Sequence, residues 1–84
     1  MTVEEAKALI LERLCSAYKF HGDEAVVKWR ELPTELGIPE NVFGEAIKAL
    51  RDAQIIELLL PIHVRLGPTG RERCKAGKGV KAST

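Results

Sequence analysis

The sequence predicts a small α+β domain, mostly helical, in which three helices share one core with a two- or three-stranded antiparallel ribbon. Three observations carry that expectation. Apolar residues return at three- and four-residue steps over residues 3–17 and again over 42–50, the mark of helices with one buried side. Residues 63–66 alternate instead, with Val64 and Leu66 on one side and His63 and Arg65 on the other. Between these stretches the chain is punctuated at His21-Gly22, Gly37 and Gly67-Pro68-Thr69-Gly70.

The first helix opens at Thr2, with Glu5 at the spacing of a capping box. Val3, Ala6, Ile10, Leu14 and Ala17 make its main apolar stripe. Ala8, Leu11, Cys15 and Tyr18 make a second stripe beside it. An apolar face this broad has to be covered on more than one side, by the domain's own core or by a second copy. Residues 25–29 then read as a short strand, with Ala25, Val27 and Trp29 alternating against Val26 and Lys28. Residues 31–36 read as a short helix with Pro33 in its first turn, where a missing N–H costs little, and Gly37 closes it.

Ile38-Pro39 opens the third helix, over residues 40–53, with proline preset for the first turn. Val42, Phe43, Ala46, Ile47 and Leu50 form its buried side. Gly44 lies in its middle, where it costs about 1 kcal/mol against alanine; it marks either the close approach of another backbone or a tolerated weak spot. Residues 55–60 and 63–66 read as a hairpin interrupted by Pro61-Ile62, and 71–76 as a short helical turn. Leu58, Leu59, Leu60 and Ile62 are more apolar residues than alternation can bury, so an exposed patch is expected on the hairpin. The boundaries that follow are a folded domain over 1–74 and a mobile basic tail over 75–84, rich in Lys, Gly, Ala and Ser.

At 84 residues the chain is one domain, with little room for a deep catalytic cleft. Apolar residues at 45% and charged residues at 30% are ordinary for a soluble protein. The net charge of +1 hides an asymmetry. From His63 onward Arg65, Arg71, Arg73, Lys75, Lys78 and Lys81 face a single acid, Glu72, and the remainder of the chain is acidic. A basic end of this kind suits a polyanion, or simply a solvated tail. Glu4, Glu5 and Glu12 stand where a secretory leader would start basic, and no apolar run is long enough for a membrane, so a cytoplasmic location is expected. Cys15 and Cys74 lack the spacing of a disulfide framework or zinc site. They read as an inert buried thiol and an exposed one.

One constellation goes further. Leu32, Leu36-Gly37-Ile38, Phe43, Ile47, Leu50, Ala53 and Ile55-Ile56, followed by the stretch from Val64 to Glu72, resemble the winged helix-turn-helix family. The resemblance covers residues 25–74 well and the first helix only by its length. It implies that the third helix is held out toward the major groove of duplex DNA while the hairpin, the wing, reaches phosphates. It places Asn41, Gly44, Glu45 and Lys48 where family members contact bases. Asn41 would suit an adenine edge and Glu45 a cytosine amino group. His63, Arg65 and Arg71 fall where the wing meets the backbone, and Arg51 and Arg73 complete the expected DNA-binding set. Two features depart from the family pattern. Glu40, Glu45 and Asp52 outnumber Lys48 and Arg51 on the third helix, and Pro39 replaces the usual serine or threonine cap.

His21 and His63 have no nucleophile or carboxylate at a motif spacing, and Gly67 to Arg71 lacks the spacing of a phosphate loop. Trp29, which could stack on a base, is expected in the core. The sequence thus leads to a small transcriptional regulator that is not an enzyme, uses no metal or other cofactor, binds duplex DNA, and pairs as a dimer through its first helix. A protein-interaction module using the apolar wing and the acidic third helix is the second reading.

Overall fold

The computed structural model describes residues 1–22, 25–59 and 62–75. Helix α1 (Val3–His21) starts at the capping box: the Thr2 hydroxyl accepts from the Glu5 N–H at 3.1 Å, and the Glu5 carboxylate accepts from the Thr2 N–H at 2.9 Å. Ala6, Ile10, Leu14 and Ala17 are buried, and so are Leu11 and Cys15 of the second stripe; Ala8 of that stripe is exposed. Strand β1 (Val27–Lys28) is shorter than the stretch 25–29, because the chain bends at Trp29 into a 3₁₀ turn, Trp29–Glu31. The Trp29 N–H still donates to the Ile62 carbonyl at 2.9 Å, extending the ladder by one bond.

Helix α2 (Leu32–Leu36) carries Pro33 in its first turn and ends at Gly37 in the left-handed conformation, φ 70°. There the Ile38 N–H reaches back to the Pro33 carbonyl at 2.8 Å, and Gly37 donates to Thr34. This pattern caps α2 and drops Ile38 into the core, which fixes the angle to the next helix. Helix α3 (Glu40–Asp52) begins at the expected residue and ends one residue earlier than expected. Pro39 is the N-cap and not the first helical residue: its ψ of 143° is extended, its carbonyl accepts from Phe43, and it has no side-chain acceptor to offer. Phe43, Ala46, Ile47 and Leu50 are buried as expected.

Strands β2 (Ile56–Leu59) and β3 (His63–Leu66) pair antiparallel, and β1 adds to the other edge of β3, giving the order β1-β3-β2. Val64 lies opposite both Val27 and Leu58, and Leu66 opposite Ile56, so these side chains share the core face. His63, Arg65, Glu57, Leu59 and Lys28 take the outer face. The architecture is therefore α+β and mostly helical, with four helices and one three-stranded antiparallel sheet among the described residues. No helix among them is long and apolar enough to cross a membrane.

The last element differs most from its expectation. Instead of a turn over 71–76 there is a helix, α4 (Pro68–Lys75), which takes in the first residue of the expected tail. Pro68 starts this helix because its fixed φ suits a first helical residue. Gly70 has to be a glycine: a Cβ there would collide with the Ile55 carbonyl and press the Leu66 side chain at 2.8 Å. Contrary to the reading of two unpaired thiols, Cys15 and Cys74 form a disulfide, Cα–Cα 5.7 Å, and both are buried. Their separation of 59 residues gives no motif spacing; only the fold brings α4 back against α1. Leu11 and Cys15 of the second stripe are covered within the chain, Cys15 by its bond to α4. A disulfide is uncommon in the cytoplasmic location that the sequence leads one to expect. The apolar excess on the hairpin is handled differently too: Leu58 packs on the core, and Leu59 and Ile62 are half-buried. The hairpin tip at Leu60-Pro61 and the tail over 76–84 lie outside the described residues.

One position pays a local conformational cost. Gln54, just past α3, has φ 63°, and around it the Ile55 N–H donates to the Leu50 carbonyl at 2.9 Å. A left-handed non-glycine residue costs roughly 1–2 kcal/mol. Gln54→Gly is therefore expected to raise stability by about 1 kcal/mol in urea unfolding, after the added backbone freedom of glycine is offset. Leu32, fully buried between the helices, should lose about 2–5 kcal/mol as Leu32→Ala in the same measurement.

Candidate nucleic-acid interface

Burial of Phe43, Ala46, Ile47 and Leu50 leaves the opposite side of α3 in solvent. Asn41, Gly44, Glu45, Lys48 and Asp52, spaced by three and four residues, form one exposed stripe along it. Four of the nine expected site residues, Asn41, Gly44, Glu45 and Lys48, therefore do share a face. Arg51 is exposed at the end of α3, 3.9 Å from Asp52. It opens on a shallow groove shared with Gln54, Ile56, Glu57 and Pro68.

Gly44 does not mark a close approach within the chain. A Cβ built there would have no atom within 4 Å. Its neighbours are instead the walls of an open groove formed by Trp29, Arg30, Pro33, Glu40 and Phe43. Trp29 is half-buried and stacks on Phe43, with ring centroids 6.5 Å apart and planes 9° from parallel. The Arg30 guanidinium lies 5.7 Å above the Trp29 ring. Lys28 pairs across the sheet with His63 on its outer face. Lys28 and Arg30 are both exposed cations that the sequence reading did not assign to the site. Their signal is the pair of bases flanking Trp29: Lys28 falls within the strand expected over 25–29, and Arg30 falls just outside it.

The remaining expected residues divide. Arg65 is on the outer face of the sheet, but its guanidinium is held by the Glu57 carboxylate at 2.8 Å. The two are direct cross-strand partners. His63 is half-buried between Lys28 and Leu59 in the same cross-strand row. Arg71 is engaged elsewhere: it donates to the Leu66 carbonyl at 3.0 Å and lines a small cavity with Leu14, Tyr18, Gly22 and Ala25. That cavity is on the helical side of the sheet, opposite the face of Arg65. Arg73 is exposed on α4. The nine residues are thus not one surface. A patch of Asn41, Gly44, Glu45, Lys48 and Arg51, flanked by Arg30, is one group; Lys28, His63 and Arg65 share the outer face of the sheet; Arg71 and Arg73 lie on α4.

The electrostatics of this patch are mixed. Lys48, Arg51 and Arg30 are exposed, against Glu40, Glu45 and Asp52. Among the described residues no group of His, Cys, Asp and Glu could hold a metal ion. His21 is exposed at the end of α1, where a cation suits the helix C-terminus.

No protein-family model matches the chain, and no curated protein or solved structure is significantly similar to it.

Because nothing in the chain needs the missing Cβ, Gly44→Ala is expected to stabilise α3 by about 1 kcal/mol, which for a domain of this size raises Tm by roughly 4–8 °C. Thermal unfolding followed by circular dichroism checks it, and a fall in Tm would mean that the glycine serves the fold after all.

Proposed function

We propose that the chain is a nucleic-acid-binding domain of the winged helix-turn-helix kind, a small transcriptional regulator that acts by binding duplex DNA and not by catalysis. The observation that carries this reading is the exposed α3 stripe of Asn41, Gly44, Glu45 and Lys48. It is presented by a helix whose other side is locked into the core and which follows α2 through the tight Leu36-Gly37-Ile38 turn. A helix held rigidly with one polar face free has the dimensions to enter the major groove. The β2–β3 hairpin then serves as the wing.

On this reading Lys48, Arg51, Arg30 and Lys28 neutralise phosphates, Asn41 reads a base edge, and Gly44 lets the helix approach closely. Glu45 and Asp52 reduce affinity for random sequence, so binding depends more on the bases actually read. Arg65 joins only if it leaves Glu57, and Arg71 supports the wing through the Leu66 carbonyl instead of touching DNA. A homodimer through α1 could use Ala8 and Leu9, which with Met1 line a groove on its outer side, or the exposed Phe20.

A protein partner is the second reading, and one observation favours it. Phe20 is 83% exposed and Val26 44% exposed, and both border a groove with Arg13, Lys28, Glu31 and Glu35. Among the described residues, an apolar surface suited to a partner lies beside β1.

Binding to duplex DNA should weaken steeply as salt rises, and Lys48→Ala or Arg30→Ala should each lower the log–log salt slope by about one. Arg71→Ala should affect folding stability more than that slope. Glu57→Gln, which frees Arg65, should strengthen binding. Fluorescence anisotropy with a labelled duplex over a salt series measures the binding changes, and urea unfolding measures the stability of Arg71→Ala. If the slope is flat and unaffected by Lys48→Ala, the DNA reading fails. A partner protein lost on Phe20→Asp, with the DNA slope intact, would add the second role.

A further inference from the structure

We propose that the Cys15–Cys74 disulfide is a redox latch that decides whether α4 is docked on the domain, independently of what the α3 face binds. The grounds lie in what α4 lacks. Of its eight residues only Gly70 and Cys74 are buried, and no large apolar side chain of α4 enters the core. In α3, by contrast, Phe43, Ile47 and Leu50 all do. The hydrophobic contribution that normally holds a helix to its domain is therefore nearly absent.

Apart from the sulfurs and the packing of Pro68, Gly70 and Arg71 along α1 and the sheet, three close polar or backbone contacts fix α4 among the described residues. The bare backbone of Gly70 rests on the Ile55 carbonyl. Just before the helix, the Gly67 N–H donates to that same carbonyl at 2.8 Å. The Arg71 guanidinium donates to the Leu66 carbonyl at 3.0 Å. All three lie in the first half of the helix or ahead of it. The second half, from Glu72 to Lys75, has only Cys74 turned inward, bonded to α1. An eight-residue helix is too short to persist by itself in water. Cutting the one covalent tie thus removes the main restraint on α4, while α1, α2, α3 and the sheet keep their shared core.

The chemistry is ordinary exchange. A dithiol reductant supplies two electrons: its thiolate attacks one sulfur to give a mixed disulfide, and its second thiol closes on the first. Cys15 and Cys74 are left as thiols, and the reductant as a cyclic disulfide. Both cysteines are buried, so the attacking thiolate reaches them only when α4 opens transiently. Opening also moves Arg71, Arg73 and Lys75 as a group, because all three ride on this helix.

Amide hydrogen exchange on the full chain tests the latch, with and without dithiothreitol, and again on Cys74→Ala without reductant. The expected result is that protection of the amides from Arg71 to Lys75 falls by about tenfold or more on reduction and in the variant. Amides in the middle of α1 and α3 should keep most of theirs. Unchanged protection in α4 would overturn the proposal, because contacts other than the disulfide would then hold the helix. Loss of protection in α4 only together with α1 and α3 would overturn it equally, since the bond would then be a staple for the whole fold. If Cys74→Ala does not fold, reduction of the unaltered chain decides the matter alone.

Discussion

The fold depends on one constraint: α1 is apolar around more than half its circumference and must be covered by everything that follows it. Its main stripe, Ala6, Ile10, Leu14 and Ala17, packs on α3 and the sheet. In its second stripe Leu11 is buried and Cys15 is bonded to Cys74 of α4. Each later element is placed by what it contributes to that cover. Ile38 enters the core at the turn after α2, Val64 and Leu66 cover from β3, and α3 is fixed with one side buried. The outward stripe of α3 is a by-product of that packing, since a helix that buries Phe43, Ala46, Ile47 and Leu50 has only its remaining positions to offer.

Much of this was legible in the chain because it is local. The Thr2–Glu5 capping box, the glycine stop at Gly37, and the burial of α3 follow from spacing and backbone preference alone. What escaped was set by distance in sequence. The link between Cys15 and Cys74 cannot be read from spacing, because only the return of the chain along α1 makes the two sulfurs neighbours. For the same reason Pro68, whose flanking glycines resemble a breaker, starts a helix: Gly70 is there to meet the Ile55 carbonyl and not to turn the chain. The candidate site was legible in part. The α3 stripe follows from helical periodicity, but the engagement of Arg65 by Glu57 and of Arg71 by Leu66 depends on strand register and on the docking of α4.

These engagements change how the charge asymmetry of the sequence should be understood. A count of bases from His63 onward treats each as equally available. In the fold Arg65 is neutralised by a cross-strand carboxylate, Arg71 serves a main-chain carbonyl, and the exposed cations at the α3 face, Arg30, Lys48 and Arg51, come from the acidic stretch before His63. Local field at a surface is set by the side chains that reach it and not by the segment that bears the larger net charge.

The stacked pair of Trp29 and Phe43 has a practical consequence. Trp29 is the chain's one indole, its buried Nε1 has no hydrogen-bond partner among the described residues, and it lines the groove beside Gly44. Its ultraviolet emission therefore originates next to the α3 face and nowhere else. Displacement of Arg30 from above the ring, or entry of water to the indole nitrogen, would alter the colour and yield of that emission. The molecule carries its own optical reporter at the place where occupancy would be felt.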